Sequence, residues 1–220
     1  MHRNTFSVLA IMLLGACSHQ VNTSVKPALN VYSSYSDKIP ETYALMIDAS
    51  ELSGDFKVTG VVCSMHTYPM NLSSSFEQSV VQTLKQVIDN VVIVGAPLTR
   101  EQLSASKMDG IIRIIGDGVD VDLIAIPGFW TAQMEAEVSI QASLIVDGLA
   151  DRLLGATVLG DGEERRDIGN ACGGGADAMS AAAEDALEDV SRAIGERISN
   201  APKIREQSTS RLNRVSLLNL

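Results

Sequence analysis

Basic residues are scarce in this chain. It has 17 lysines and arginines against 27 aspartates and glutamates, a formal net charge of −10 at pH 7. A protein that binds nucleic acid needs a basic surface to release counterions from phosphates, so the charge balance argues against that class. It also argues against electrostatic adhesion to anionic lipid. We therefore expect no nucleic-acid partner, and any membrane attachment must come from another feature of the chain.

Groups that could catalyse a reaction are also few. The chain has three histidines, and it contains neither a Gly-x-Ser-x-Gly nucleophile elbow nor a His-Glu-x-x-His zinc pair. Ser64 and His66 are close in sequence, but a catalytic dyad would also need an orienting group and an oxyanion donor. We predict that the protein is not an enzyme and holds no cofactor or metal. The alternative is a small-ligand-binding or hydrolytic protein that uses the region around His66.

Apolar runs long enough to span a bilayer are missing near the N-terminus. An almost unbroken apolar run from Phe6 to Leu14 follows Arg3. It has about nine residues, whereas a transmembrane helix needs about 20. A short apolar run behind a positive charge is typical of the core of a secretory signal peptide.

Leu14 ends this run, and Gly15, Ala16 and Cys17 follow it directly. These four residues resemble the lipobox of bacterial lipoproteins, position by position. The resemblance implies that residues 1–16 are a signal peptide and that Cys17 becomes the mature N-terminus, lipidated with acyl chains such as palmitate. Ser18, in place of the aspartate of an inner-membrane retention signal, implies the outer membrane. The alternative is an ordinary secretory signal followed by an unrelated cysteine.

Once Cys17 is lipidated, two cysteines remain, Cys63 and Cys172. The bacterial periplasm is oxidising, and an even number of thiols there favours a disulfide. Such a bridge would close a loop of about 100 residues and stabilise the fold by roughly 4–5 kcal/mol in the chain-entropy model. The alternative is two unpaired, buried cysteines.

Two terminal segments lack a regular apolar pattern. Residues 17–41 are polar and irregular, which predicts a lipidated N-terminus and an extended tether to the folded part. Residues 201–220 are net basic, which predicts a flexible tail, with folding back onto an acidic face as the alternative. Hydrophobic residues make up 45% of the chain, so residues 42–200 should form one globular domain.

Periodicity within that domain predicts both strands and helices. We expect a helix wherever apolar residues recur every three or four positions, and a strand wherever they alternate or form a short run. The predicted strands are 43–47, 56–63, 91–94 (buried), 111–115, 119–125, 134–146 and 151–159, and the predicted helices are 73–88, 100–106 and 177–199. This order predicts an α+β fold, with a mixed or antiparallel sheet and two main helices on one face.

The clearest pattern runs from Met134 to Val146, where every even residue is apolar. It predicts a strand with one face in the core, paired in a hairpin with the preceding strand. Phe129 and Trp130 would lie at the hairpin tip. Aromatic residues exposed on loops are common binding anchors or interfacial contacts, so these two are the candidates for partner binding. The alternative is that both lie under the sheet edge.

The order of elements over residues 43–199 resembles that of small periplasmic α+β domains in outer-membrane lipoproteins. Examples are the amino-terminal domain of the Tol translocation protein, the curli secretion lipoprotein, the lipopolysaccharide-assembly lipoprotein and penicillin-binding-protein activators. The resemblance implies a non-catalytic accessory or assembly factor of a cell-envelope or secretion machine. Its expected location is the outer membrane, facing the periplasm. Its partners would be the bilayer, through Cys17, and an envelope protein or a second copy of the chain.

Overall fold

The computed structural model describes residues 18–209. The predicted signal peptide, the predicted lipidation site Cys17 and the second half of the predicted basic tail lie outside the described residues.

A five-stranded mixed sheet forms the centre of the domain, with strand order β4-β1-β5-β6-β7. β1 is parallel to both β4 and β5, whereas β5, β6 and β7 form an antiparallel meander. The bounds are β1 Ile39–Asp48, β2 Ser53–Phe56, β3 Tyr68–Asn71, α1 Ser73–Val87, β4 Ile88–Ile93, α2 Arg100–Ala105, β5 Gly110–Ile126, β6 Gln133–Gly148, β7 Arg152–Asp167 and α3 Gly174–Ser199, with a fourth helix, α4, over residues 202–209. β2 and β3 form a separate antiparallel pair.

The hairpin predicted from alternating hydrophobicity is confirmed. Every even residue from Met134 to Val146 in β6 is buried, and β6 pairs with β5 over nearly its whole length. The two strands predicted at 111–115 and 119–125 are one strand, β5, with a single irregularity between Gly116 and Gly118. A break in the apolar pattern therefore marked a bulge and not a chain reversal.

The two main helices lie on the same face of the sheet, as predicted. The apolar stripe of α1 and the apolar stripe of α3 are both buried in one core with the inner face of β6. Gly162 of β7 lets α3 approach closely, because a Cβ atom at this position would lie 2.0 Å from the carbonyl oxygen of Ala182. The predicted α+β fold with helices on one face is confirmed.

Two strand predictions fail. The predicted strand 56–63 ends at Phe56, and the following residues form turns that lead to Cys63, whose φ of 62° is incompatible with a strand. The strand predicted as buried at 91–94 is β4, which begins earlier and lies at the edge of the sheet, with Val92 and Ile93 exposed. An apolar run does not show whether a neighbouring strand covers it.

Residues 18–37, the N-terminal segment, are extended as predicted but do not form a free tether. The segment lies along the line where α1 and α3 meet. The backbone N–H of Lys26 donates to Ser79 of α1 (3.0 Å), and that of Ser24 donates to Glu184 of α3 (3.0 Å). Ala28 is buried. Because the binding uses backbone donors and helix side-chain acceptors, it leaves no apolar period in the sequence.

The first half of the predicted flexible tail is also docked, so that prediction is wrong over 201–209. These residues contain α4, whose Ile204 is fully buried. Ser208 Oγ donates to Glu41 of β1 (2.6 Å), and Arg205 donates to the carbonyl oxygen of Asp37 (2.9 Å). One buried side chain per helical turn was too weak a pattern to predict this helix.

Candidate functional site

Three loops meet where the β5–β6–β7 meander ends. We call this region the apolar end; it comprises loops 57–67, 127–132 and 168–173. The backbone N–H of Thr59 donates to Leu123 of β5 (2.7 Å), and that of Ile168 donates to Ala132 (2.9 Å). Backbone hydrogen bonds thus join the first loop to β5 near the hairpin tip, and the third loop to the second.

The disulfide predicted between Cys63 and Cys172 is present, with Cα atoms 5.9 Å apart and 109 residues of sequence separation. It joins loop 57–67 to loop 168–173. Both cysteines and Ala171 have positive φ angles, between 48° and 65°, a region that non-glycine residues seldom occupy. The crosslink holds this unfavourable backbone in place.

Large apolar side chains project into solvent at the apolar end. Val61 is 92% exposed and Met65 84%, while Phe129 and Trp130 are each 89% exposed. The two aromatic rings contact each other edge to face, with centroids 4.8 Å apart. They do not lie under the sheet edge, so the geometry leaves them accessible, and their role in binding stays a prediction.

Charge is nearly missing from the same three loops. Lys57 is their only charged residue, although charged residues make up 20% of the chain. Neither the exposure of Val61 and Met65 nor this lack of charge was predicted, because the three loops are far apart in sequence. A low charge density in each loop could have been noticed, but their meeting required the tertiary structure.

The N-terminal segment reaches the domain at this same end. Ser18 forms a parallel bridge with Thr67, and the backbone N–H of His19 donates to the carbonyl oxygen of Thr67 (2.9 Å). The N–H of Val21 then donates to Pro69 (3.1 Å). Ser18 and His19 are therefore held against loop 57–67, at the apolar end.

In the region around His66, the side chains of Ser64 and His66 have separate hydrogen-bond partners. His66 Nδ1 lies 3.0 Å from His19 Nε2, and the two rings stack. Ser64 Oγ donates instead to the carbonyl oxygen of Val61 (3.0 Å). Tyr68 stacks on His19 and donates to Cys172 (2.8 Å), and burial raises the pKa of its hydroxyl. This cluster ties the N-terminal segment to the disulfide loops.

Among the described residues, Glu135, Glu137 and Glu163 offer carboxylate oxygens close enough to share a cation. Arg165 forms ion pairs with Glu135 and Glu163, so a protein cation already neutralises part of the cluster's charge. Exposed acidic groups of this kind are common on protein surfaces, and we assign them no metal.

A second exposed apolar surface lies at the edge strand β4. Ile93 is 63% exposed and borders a groove of about 460 Å³ that Ile47, Val81 and Val94 also line. The opposite edge strand, β7, carries a series of charged residues, including Glu163, Arg165 and Arg166. Charged side chains protect a sheet edge from pairing, so β4 is the less protected edge.

Comparisons with known proteins are limited to the fold. No protein-family model and no curated protein matches the sequence. Among solved structures, the chain is similar to protein XCC0632 from Xanthomonas campestris, of the DUF330 family, with 10% identity, a TM-score of 0.48, and coverage of 88% of this chain and 99% of that one. It is also similar to hypothetical protein CT253 from Chlamydia trachomatis (10% identity, TM-score 0.43, 73% and 97% covered). A third is a homolog of the neuraminyllactose-binding hemagglutinin from Helicobacter pylori (12% identity, TM-score 0.44, 86% and 100% covered).

These similarities are too distant to transfer any residue or activity to this chain. None of the helices within residues 18–209 combines the length and the hydropathy needed to cross a bilayer.

Proposed function

We propose that this protein is a bacterial lipoprotein, anchored through Cys17 in the outer membrane and facing the periplasm. There it acts as a non-catalytic accessory or assembly factor of a cell-envelope or secretion machine. One observation carries the proposal: Ser18, which directly follows the lipobox-like residues, is held at the apolar end, where Lys57 is the only charged residue of the three loops. The proposed lipidation site is therefore adjacent in sequence to a residue held at the apolar end.

The geometry around His66 supports a docking role over a catalytic one. A general base must lie within hydrogen-bond reach of the group that it deprotonates. His66 pairs with His19, and Ser64 bonds to a backbone carbonyl in its own loop. Both side chains therefore have structural partners in place of catalytic ones.

The β4 edge supplies a surface for a protein partner. A peptide strand can extend a sheet by pairing with an open edge, while pockets beside that edge take up its side chains. Ile93 and the groove beside it fit this mode. This surface is separate from the apolar end, so membrane attachment and docking need not compete.

Lipid attachment is tested by metabolic labelling with palmitate in the native host. The wild-type chain should incorporate the label and fractionate with the outer membrane. Cys17→Ser should abolish both, because the acyl chains provide the anchor. Wild-type protein that stays unlabelled, or a Cys17→Ser variant that remains equally membrane-bound, would contradict the proposal.

Docking is tested in intact cells with a photoreactive amino acid at Ile93 and, as a matched control, at Leu159 on the other edge strand. Both positions are exposed apolar residues. We expect a defined envelope protein, or a second copy of this chain, to crosslink at Ile93 and not at Leu159. The adduct should disappear when Val92 is changed to Lys. Monomer alone, under several growth conditions, would contradict the docking role.

The alternative around His66 makes a different prediction. If the protein hydrolysed or bound a small ligand there, His66→Ala would abolish complementation of a deletion strain while the protein remained folded. We expect complementation to be unchanged.

A further inference from the structure

We propose that the apolar end inserts its exposed side chains into the interfacial layer of the lipid bilayer that holds the anchor. This inference rests on the proposed lipid anchor at Cys17 and adds a second, non-covalent contact with the membrane. Phe129 and Trp130 at the hairpin tip make the principal contact, and Val61 and Met65 of loop 57–67 make a further one.

The position of Ser18 favours lipid as the occupant of the apolar end. Ser18 is held against Thr67 at the apolar end. Consecutive Cα atoms are about 3.8 Å apart, so a lipid attached to the preceding residue starts within a few ångströms of Ser18. Because residues 18–37 are docked on α1 and α3, they provide no slack that would move the domain away from the bilayer.

The charge distribution also favours lipid. The protein as a whole is acidic and would be repelled by anionic headgroups, yet Lys57 is the only charged residue in the three loops of the apolar end. Moving a charged side chain towards hydrocarbon is costly. Tryptophan, in contrast, is enriched at the membrane–water interface. With Lys57 as their only charged residue, the loops of the apolar end can enter the membrane interface at little of this cost.

The shape of the end argues against a protein partner at this position. Hot spots of protein interfaces lie at the centre of a well-packed patch surrounded by a rim that excludes water. Phe129 and Trp130 instead project from a hairpin tip, where each is 89% exposed. A fluid lipid layer can close around such a projection without a matching pocket.

Insertion would orient the domain upright on the membrane. β6 has 16 residues, which at about 3.3 Å per residue places its far end about 50 Å from the apolar end. The far end, with α4 and the turn 149–151, would then project into the periplasm.

Trp130 is the chain's only tryptophan and therefore reports on its own surroundings. The experiment uses the mature lipidated protein in vesicles of phosphatidylethanolamine and phosphatidylglycerol, with and without brominated acyl chains. Flotation with the vesicles reports the anchor, and quenching of Trp130 fluorescence by bromine reports insertion. We expect flotation, a blue-shifted emission, quenching by bromine and protection from aqueous iodide.

Variants assign the effect to the apolar end. Phe129→Ser should lose most of the bromine quenching while flotation is retained, and Val61→Ser combined with Met65→Ser should lose part of it. The matched control is Tyr32→Ser, which alters an aromatic residue that is 74% exposed but lies beside the C-terminal end of α3. It should leave quenching unchanged.

Each other outcome overturns the inference in a different way. Flotation with water-like emission and no bromine quenching rejects insertion and leaves the lipid anchor intact. Protection from iodide without bromine quenching means that protein, and not lipid, covers Trp130. If the protein does not float with the vesicles, the lipid anchor is rejected. The proposed function and the insertion that rests on it are then both rejected.

Discussion

The two ends of the β5–β6–β7 meander are stabilised by different forces and expose different chemistry. At the apolar end, a disulfide and backbone hydrogen bonds hold loops that expose apolar side chains. At the opposite end, which we call the charged end and which comprises the turn 149–151, its flanking residues and α4, ion pairs and a buried helix face hold the chain. There Asp147 accepts from Arg113 (2.7 Å) and from Arg152 (2.9 Å).

At the charged end, two arginines stabilise the ionised form of Asp147. Partial burial opposes ionisation of Asp147, but hydrogen bonds from Arg152 and Arg113 outweigh it and lower the pKa of the carboxyl group. Asp147, Arg113 and Arg152 are thus partnered within the protein and compatible with water. The two ends of the meander therefore differ in surface chemistry, as the proposed membrane insertion of the apolar end requires.

Breaking the disulfide should have the largest effect on stability. We expect Cys63→Ser combined with Cys172→Ser to lower the free energy of unfolding by about 4 kcal/mol, because the crosslink restricts a loop of more than 100 residues in the unfolded chain. Urea unfolding measures this change. Wild-type protein in reducing buffer should match the variant, and equal stability of the reduced and oxidised forms would contradict the prediction.

A larger side chain in β7 near the apolar end should have the next largest effect on stability. Gly162→Ala would place a methyl group against the backbone of α3, and forced overpacking of this kind costs about 3 kcal/mol.

Gly155→Ala is the matched control, towards the charged end of the same strand. There a Cβ atom would come no closer than 3.8 Å to Arg152, so the change should stay within about 0.5 kcal/mol. Thermal denaturation compares the two variants, and equal effects would refute the tight contact between α3 and the apolar half of β7.

The charged end is tested through α4. Ile204→Ala removes a fully buried side chain and should cost about 2 kcal/mol. The exposed neighbour Lys203→Ala should cost less than about 0.5 kcal/mol. Denaturant unfolding gives both values. If both variants matched the wild type, α4 would not be part of the folded domain.

The smallest expected effect concerns the N-terminal segment, which links the two ends. Burial opposes ionisation of Glu184, but hydrogen bonds from Ser24 and the charge of Lys26 outweigh it and lower the pKa of Glu184. The resulting stabilisation is present above the unfolded pKa of about 4.3 and is lost as pH falls through the lower folded pKa.

We therefore expect the protection of the amides in residues 22–28 against exchange, measured relative to their intrinsic exchange rates at each pH, to fall below about pH 4. Glu184→Gln should cost about 1 kcal/mol at neutral pH and remove that acid sensitivity. The exposed Glu188→Gln serves as control. A protection factor in residues 22–28 that does not change with pH in the wild type would show that Glu184 does not hold the segment.

Elements with a strong local pattern could be predicted from the sequence. The alternation in β6 and the apolar stripe of α3 each repeat over several turns or pairs, so their burial followed from periodicity alone. The disulfide followed from the cysteine count and the expected compartment. Docking of residues 18–37 could not be predicted. Its backbone N–H groups donate to side chains such as Ser79 and Thr83, and bonds of this kind require no periodic pattern of side chains in the segment.

The sequence by itself determined the order of most elements, the inner face of the sheet and the resemblance of residues 14–17 to a lipobox, since each is encoded by residues close together in the chain. Only the tertiary structure decided that loops 57–67, 127–132 and 168–173 meet in one surface with a single charged residue, Lys57, and that Ser18 lies beside it. That arrangement depends on pairings across 47 to 109 residues, such as His19 with His66 and Cys63 with Cys172. Local periodicity carries no information about which distant loops the sheet brings together.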